Sequence, residues 1–117
     1  MGRNIVLDKS FDFAVRIVKL NKYLVSEKKE FTLSKQVLRS GTAIGALVRE
    51  AQHAESNADF IHKLSIALKE ANETDYWLLL LQKTDYVAEN IYDSLYSDIQ
   101  ELIKLLVSII KSSKTKD

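Results

Sequence analysis

No proline occurs anywhere in the 117 residues, and only three glycines do. The residues that most often break helices and shape β-turns are therefore nearly missing, which leaves long helices as the natural conformation of the chain. An apolar share of 46% is enough for one core at this length and too little for an integral membrane protein. With no cysteine present, disulfides, thiolate nucleophiles and cysteine-held metals are excluded, and packing has to supply the stability. The opening residues run into Asp8, Lys9 and Asp12 instead of a continuous apolar stretch, so neither a signal peptide nor a membrane span is expected and the cytoplasm is the expected location.

Periodicity divides the chain into four helices at about 8–27, 33–55, 57–85 and 90–111. In the first, Phe11, Ala14, Val18 and Val25 share one helical spacing, and Phe13, Ile17, Leu20 and Leu24 share another. Glu27 to Glu30 read as a solvated connector, after which Thr32 or Ser34 can cap a second helix carrying Val37, Ile44, Val48 and Ala51. Ser56 followed by Asp59 resembles a capping box and opens the most regular segment. There Phe60, Leu64, Ala67, Ala71, Thr74, Leu78 and Leu81 alternate four-and-three spacings, the mark of helices packed at a shallow angle. The fourth helix places Tyr92, Leu95, Ile99, Leu102, Leu106 and Ile109 on one side, and the tail from Lys111 is expected to fray. Short connections between consecutive helices make this an all-α protein, a single antiparallel up-down-up-down four-helix bundle over residues 1–117.

The apolar surface exceeds what one bundle buries. The first helix is apolar over roughly 220° of arc, where about 100° suffices for a helix covering one side of a core. Tyr76 to Leu81 are six consecutive apolar or aromatic residues, pointing all around the axis. Trp77, Leu79 and Leu80 are thus candidates for an interface with a second copy. Gly41 and Gly45, one turn apart inside a helix, make a smooth surface for close approach, either within the bundle or between subunits.

Candidate chemistry is sparse. His53 and His62 each follow a carboxylate by three residues, as in di-iron bundles, but His62 lies about 200° around the helix from Phe60 and so faces away from the core stripe. No serine stands with either histidine in a nucleophile elbow, and no phosphate-binding glycine loop occurs. No metal, cofactor or small-molecule substrate is expected. If the second and third helices fold back about Asn57, Arg39 falls level with Glu73 and Glu50 with Lys63. Ion pairs are expected there, setting register or closing an interface; the alternative is that Arg39, Glu50 and Glu73 form one polar binding site. Residues 1–58 carry a net charge of +4 and residues 59–117 a net charge of −3, consistent with complementary halves or with a basic surface. On the first helix Lys9, Arg16 and Lys19 lie within roughly 80° of one another, which makes them the candidate nucleic-acid face.

The segment from Gln36 to Ala51, with Asp59-Phe60, Lys63-Leu64, Ile66 to Thr74 and Tyr76-Trp77-Leu78, resembles the bacterial four-helix-bundle family named after reading frames in intervening sequences of 23S ribosomal RNA genes. The resemblance implies an antiparallel bundle, often a homopentameric ring, from a family to which no enzymatic activity is assigned in general. Arg39, Ser40, Glu50 and Glu73 match family positions, whereas Ala43, Leu47 and Ala51 stand where the family often has serine, asparagine and glycine. A related branch accompanies the reverse transcriptases of diversity-generating retroelements and binds nucleic acid through a basic surface. The expectation is a non-enzymatic homo-oligomeric scaffold or adaptor, and the alternative an RNA- or DNA-binding accessory protein. A gene lying within an rRNA gene reflects genomic position, so the family name by itself does not imply ribosome binding.

Overall fold

The computed structural model describes residues 4–115, so residues 1–3 and 116–117 of the expected domain lie outside the described residues. It contains α1 (Ile5–Ser26), α2 (Leu33–Ala51), α3 (Asn57–Lys83) and α4 (Glu89–Lys114). Each helix runs antiparallel to the next, because rising residue numbers on one side of a seam meet falling numbers on the other. Arg39 with Glu73 and Glu50 with Lys63 show this for α2/α3, and Lys9 with Glu101 and Arg16 with Asp98 for α1/α4. The neighbouring pairs are α1/α2, α2/α3, α3/α4 and α1/α4, while the diagonal pairs bring no Cα atoms within 8 Å of each other. The result is an up-down-up-down bundle of 48 × 23 × 22 Å.

The helix ends follow from local hydrogen bonding. α1 starts earlier than its periodicity suggests because the Asn4 side chain accepts from the Leu7 amide at 3.1 Å. α2 stops at Ala51 instead of continuing toward Glu55, its end tightened by bonds from the Gln52, His53 and Ala54 amides to carbonyls three residues back. Ser56 caps α3 by accepting from Asp59 at 3.0 Å, while Asp59 accepts from the Glu55 amide at 3.2 Å. α4 continues past Lys111 to Lys114, with Ser113 buried. Its end is held where the Asn57 side-chain Nδ2 donates to the Ser113 carbonyl at 2.9 Å.

The connector after α1 corrects the sequence reading. Glu30 is not solvated: it is only 9% exposed, and its carboxylate accepts from the Leu33 and Ser34 amides at 3.0 and 2.8 Å. It thus caps α2 in place of Thr32, whose side chain makes no capping bond. A carboxylate aimed at a helix N-terminus gains from the free amides and from the helix dipole.

The core runs the length of the bundle through Phe13, Ile17, Leu24, Val37, Ile44, Leu64, Leu78, Leu81, Leu95, Ile99, Leu102 and Leu106, all essentially buried. Within α3 the expected stripe is buried from Leu64 to Leu81, whereas Phe60 at the bundle end is half-buried. On α4 the last core residue is Ile110 and not Ile109, which stays half-buried.

Candidate functional site

Polar side chains collect on the seams, and the densest cluster sits between α2 and α3. Glu70 and Glu73 occupy the α3 face turned toward α2, and Arg39 reaches across to both. Its Nη2 lies 2.5 Å from Glu73 Oε2 and 3.2 Å from Glu70 Oε1, and its Nη1 donates to Glu70 Oε2 at 3.3 Å. One turn further along α3, the Trp77 indole donates to the same Glu73 Oε2 at 3.0 Å. The Trp77 bond and then Arg39 hold the Glu73 carboxyl below its ordinary value, while bonding to the two carboxylates raises the Arg39 guanidinium further. Behind the charges the buried hydroxyls of Ser40 and Thr74 lie 2.9 Å apart, with Thr74 Oγ1 2.7 Å from the Glu70 carbonyl.

Glu50 does not join this cluster. It lies eleven residues beyond Arg39 on α2, about 16 Å along the helix axis, and pairs separately with Lys63 at 3.2 Å. The alternative of one polar site built from Arg39, Glu50 and Glu73 is therefore corrected to two separate contacts. Chemically, the Arg39 cluster is a clamp. A guanidinium bonded to two carboxylates, with Glu73 held ionised, fixes helix register. On the opposite side of α3 the Tyr92 hydroxyl donates to Asp75 at 3.1 Å, and burial followed by the Asp75 charge pushes the phenol up to about 12.

Gly41 and Gly45 face α1. A Cβ at Gly41 would lie 2.8 Å from Ile17 Cγ1, and one at Gly45 would lie 3.1 Å from the Ser10 carbonyl oxygen. Of the two readings of these glycines, close approach within the bundle is the one realised, so they are removed from the subunit-interface candidates. The basic face of α1 is corrected as well. Lys9 lies 3.0 Å from Glu101 and Arg16 lies 2.6 Å from Asp98, both across the α1/α4 seam. Of the three, Lys19 alone has no ion pair among the described residues. The three cations share a side of α1, but α4 carboxylates face two of them.

Leu79 is 40% exposed and Tyr76 58%, with Trp77 and Leu80 half-buried beside them. A second apolar surface lies on the outer side of α1, where Phe11, Val18 and Val25 of the first periodic set, with Val15 in place of the half-buried Ala14, are exposed, Phe11 at 57%; the sequence did not single it out as an interface. Their four- and three-residue steps were visible. Sequence could not say which of two equally periodic sets turned inward, and the core took Phe13, Ile17, Leu20 and Leu24. Among the described residues no three His, Cys, Asp or Glu side chains are grouped to hold a metal ion, and His53 and His62 are exposed.

These features define an all-helical bundle with ion pairs across its α2/α3 and α1/α4 seams and exposed apolar residues on α1 and α3. A family model for the 23S rRNA-intervening sequence protein matches residues 3–108, and the chain belongs to that family. A solved structure similar to it is a protein of unknown function from the S23 ribosomal protein family of Bacteroides thetaiotaomicron VPI-5482. That protein is 63% identical, with a TM-score of 0.90, over 91% of this chain and 98% of that one. No curated protein gives a match. No helix of the described residues is long and apolar enough to cross a membrane.

Proposed function

We propose that this protein is a non-enzymatic cytoplasmic scaffold that assembles with copies of itself, in a ring whose fivefold order is favoured by the family resemblance. The observation that carries the reading is the line Phe11, Val15, Val18 and Val25, exposed along α1, with Tyr76 and Leu79 exposed on the diagonally placed α3. Two unlike apolar faces on different sides of one bundle suit a head-to-tail contact, which closes into a ring when the rotation permits. Contiguous exposed apolar surface on a small domain marks an interaction site.

Light scattering and sedimentation equilibrium test it against the monomer mass of 13.4 kDa. A mass of several subunits is expected, and Val18→Glu is expected to dissociate the assembly with helical circular dichroism intact, because Val18 lies outside the core. A chain that stays monomeric at high micromolar concentration overturns the reading. An assembly untouched by Val18→Glu removes the α1 line from the interface.

A further inference from the structure

The α1/α4 seam is the thinnest contact between neighbouring helices, and its ion pairs run from Lys9 near the α1 N-terminus to Arg16 at the middle of that helix, both against the middle of α4. Beyond Arg16 no charge pair bridges the two helices among the described residues, and a groove of about 510 Å³ opens there. Leu20, Val87 and Leu95, all nearly buried, are its floor, and the half-exposed Tyr23 of α1 and Ile91 of α4 also line it. Arg16 and Lys19 stand at one end, and among the described residues no carboxylate lines it.

We propose that this groove binds a free amphipathic anion: an apolar chain along Leu20, Tyr23, Val87, Ile91 and Leu95, with its single carboxylate at Lys19 and Arg16. Three observations agree on this occupant. The volume falls within the range of about 300–1,000 Å³ usual for small-molecule sites, and the lining is chiefly apolar with a few polar groups at one end, as such sites are. The seven-residue rise from Arg16 to Tyr23 gives a slot about 10 Å long, suited to a medium-length alkyl chain. The charge is one-sided. Lys19 has no ion pair among the described residues, and Arg16 spends one Nη1 contact on Asp98, leaving other guanidinium donors for a ligand. A neutral apolar ligand would gain nothing from this end, and a cationic one would be repelled. The groove is separate from the apolar line on α1, so the site stands or falls independently of self-assembly.

Titration of the full-length protein with sodium decanoate below its micelle concentration, followed by amide NMR and calorimetry, tests the assignment. Saturable shifts confined to residues 16–24 and 87–95 are expected. Lys19→Glu, at an exposed position, is expected to weaken binding at least about tenfold by placing like charges together. Ala88→Trp, which fills the groove from its exposed rim, is expected to abolish it. Decanol and decyltrimethylammonium are expected to bind at least about tenfold more weakly than decanoate. Equal binding of decanol, decanoate affinity unchanged by Lys19→Glu, or shifts spread over other faces would each overturn the proposal. Groove shifts that follow protein concentration without decanoate would assign the groove to a second copy. Recruitment to phosphatidylglycerol vesicles with no response to decanoate would assign it to a lipid surface.

Discussion

Toward α2, helix α1 packs almost backbone to backbone, with Gly41 against Ile17 and Gly45 against the Ser10 carbonyl. Toward α4 it packs through long side chains, Lys9 to Glu101 and Arg16 to Asp98, and then opens into a groove. One helix thus carries a tight face and a loose one. Each glycine costs about 1 kcal/mol of helix propensity relative to alanine, a cost offset only where the missing Cβ lets dispersion contacts form across the whole seam. Charged side chains keep helices at arm's length, and exposed pairs of this kind return little energy. The loose seam is accordingly where a ligand can enter, and the tight one where stability resides.

The sharpest way to break this comparison is Gly41→Val. Its side chain would meet the fully buried Ile17, and the expected loss is about 2–3 kcal/mol in urea denaturation, with the slope unchanged. Parent-like stability would mean that α1 can back away and the seam is not close-packed. Between the two extremes lies the charge clamp of α2/α3. Glu73→Gln is expected to cost about 1 kcal/mol at neutral pH.

The sign of its pH dependence follows from the direction of the Glu73 shift. A carboxyl held below its ordinary value of 4.5 contributes fully above that value, and the contribution is lost as pH falls through the lower folded value. Melting temperatures of parent and variant should therefore converge on acidification below about pH 4.5. A gap that stays constant to pH 3 would show that the charge of Glu73 is irrelevant to the clamp.

Smaller effects sharpen the contrast from either side. The short turn that delivers α2 onto α1 holds Lys29 at φ 53°, a left-handed conformation that glycine adopts without strain. Lys29→Gly is expected to stabilise by about 0.5–1 kcal/mol, read as a higher urea midpoint. Asp98→Ala on the loose seam should cost about 0.5 kcal/mol or less, and that difference should shrink in 1 M salt. A loss rivalling that of Gly41→Val would make the two seams energetically alike and remove the basis of the contrast.

Much of the architecture was legible because helical periodicity is a local property. The buried sets Val37, Ile44, Val48 and Ala51 on α2, and Leu64 to Leu81 on α3, are those that the spacing picks out. Folding α2 and α3 back about Asn57 places Arg39 level with Glu73 and Glu50 level with Lys63, and both contacts are short in the folded chain. What escaped was whatever depended on a neighbour's identity. Glu30 reads as one more charge in a charged connector until the amides of Leu33 and Ser34 are seen to converge on it.

By itself, then, the sequence determined the helical class, the four segments and the antiparallel order. A chain without proline, carrying apolar residues at helical spacing and joined by short connectors, has few other ways to bury them. Only the tertiary structure decided which apolar set of α1 turned inward, that the glycines were used within the bundle, and that Lys9 and Arg16 met carboxylates instead of open solvent. The physical reason is that periodicity specifies a direction around one helix axis. Burial and charge pairing depend on what another helix, distant in the chain, presents at that level.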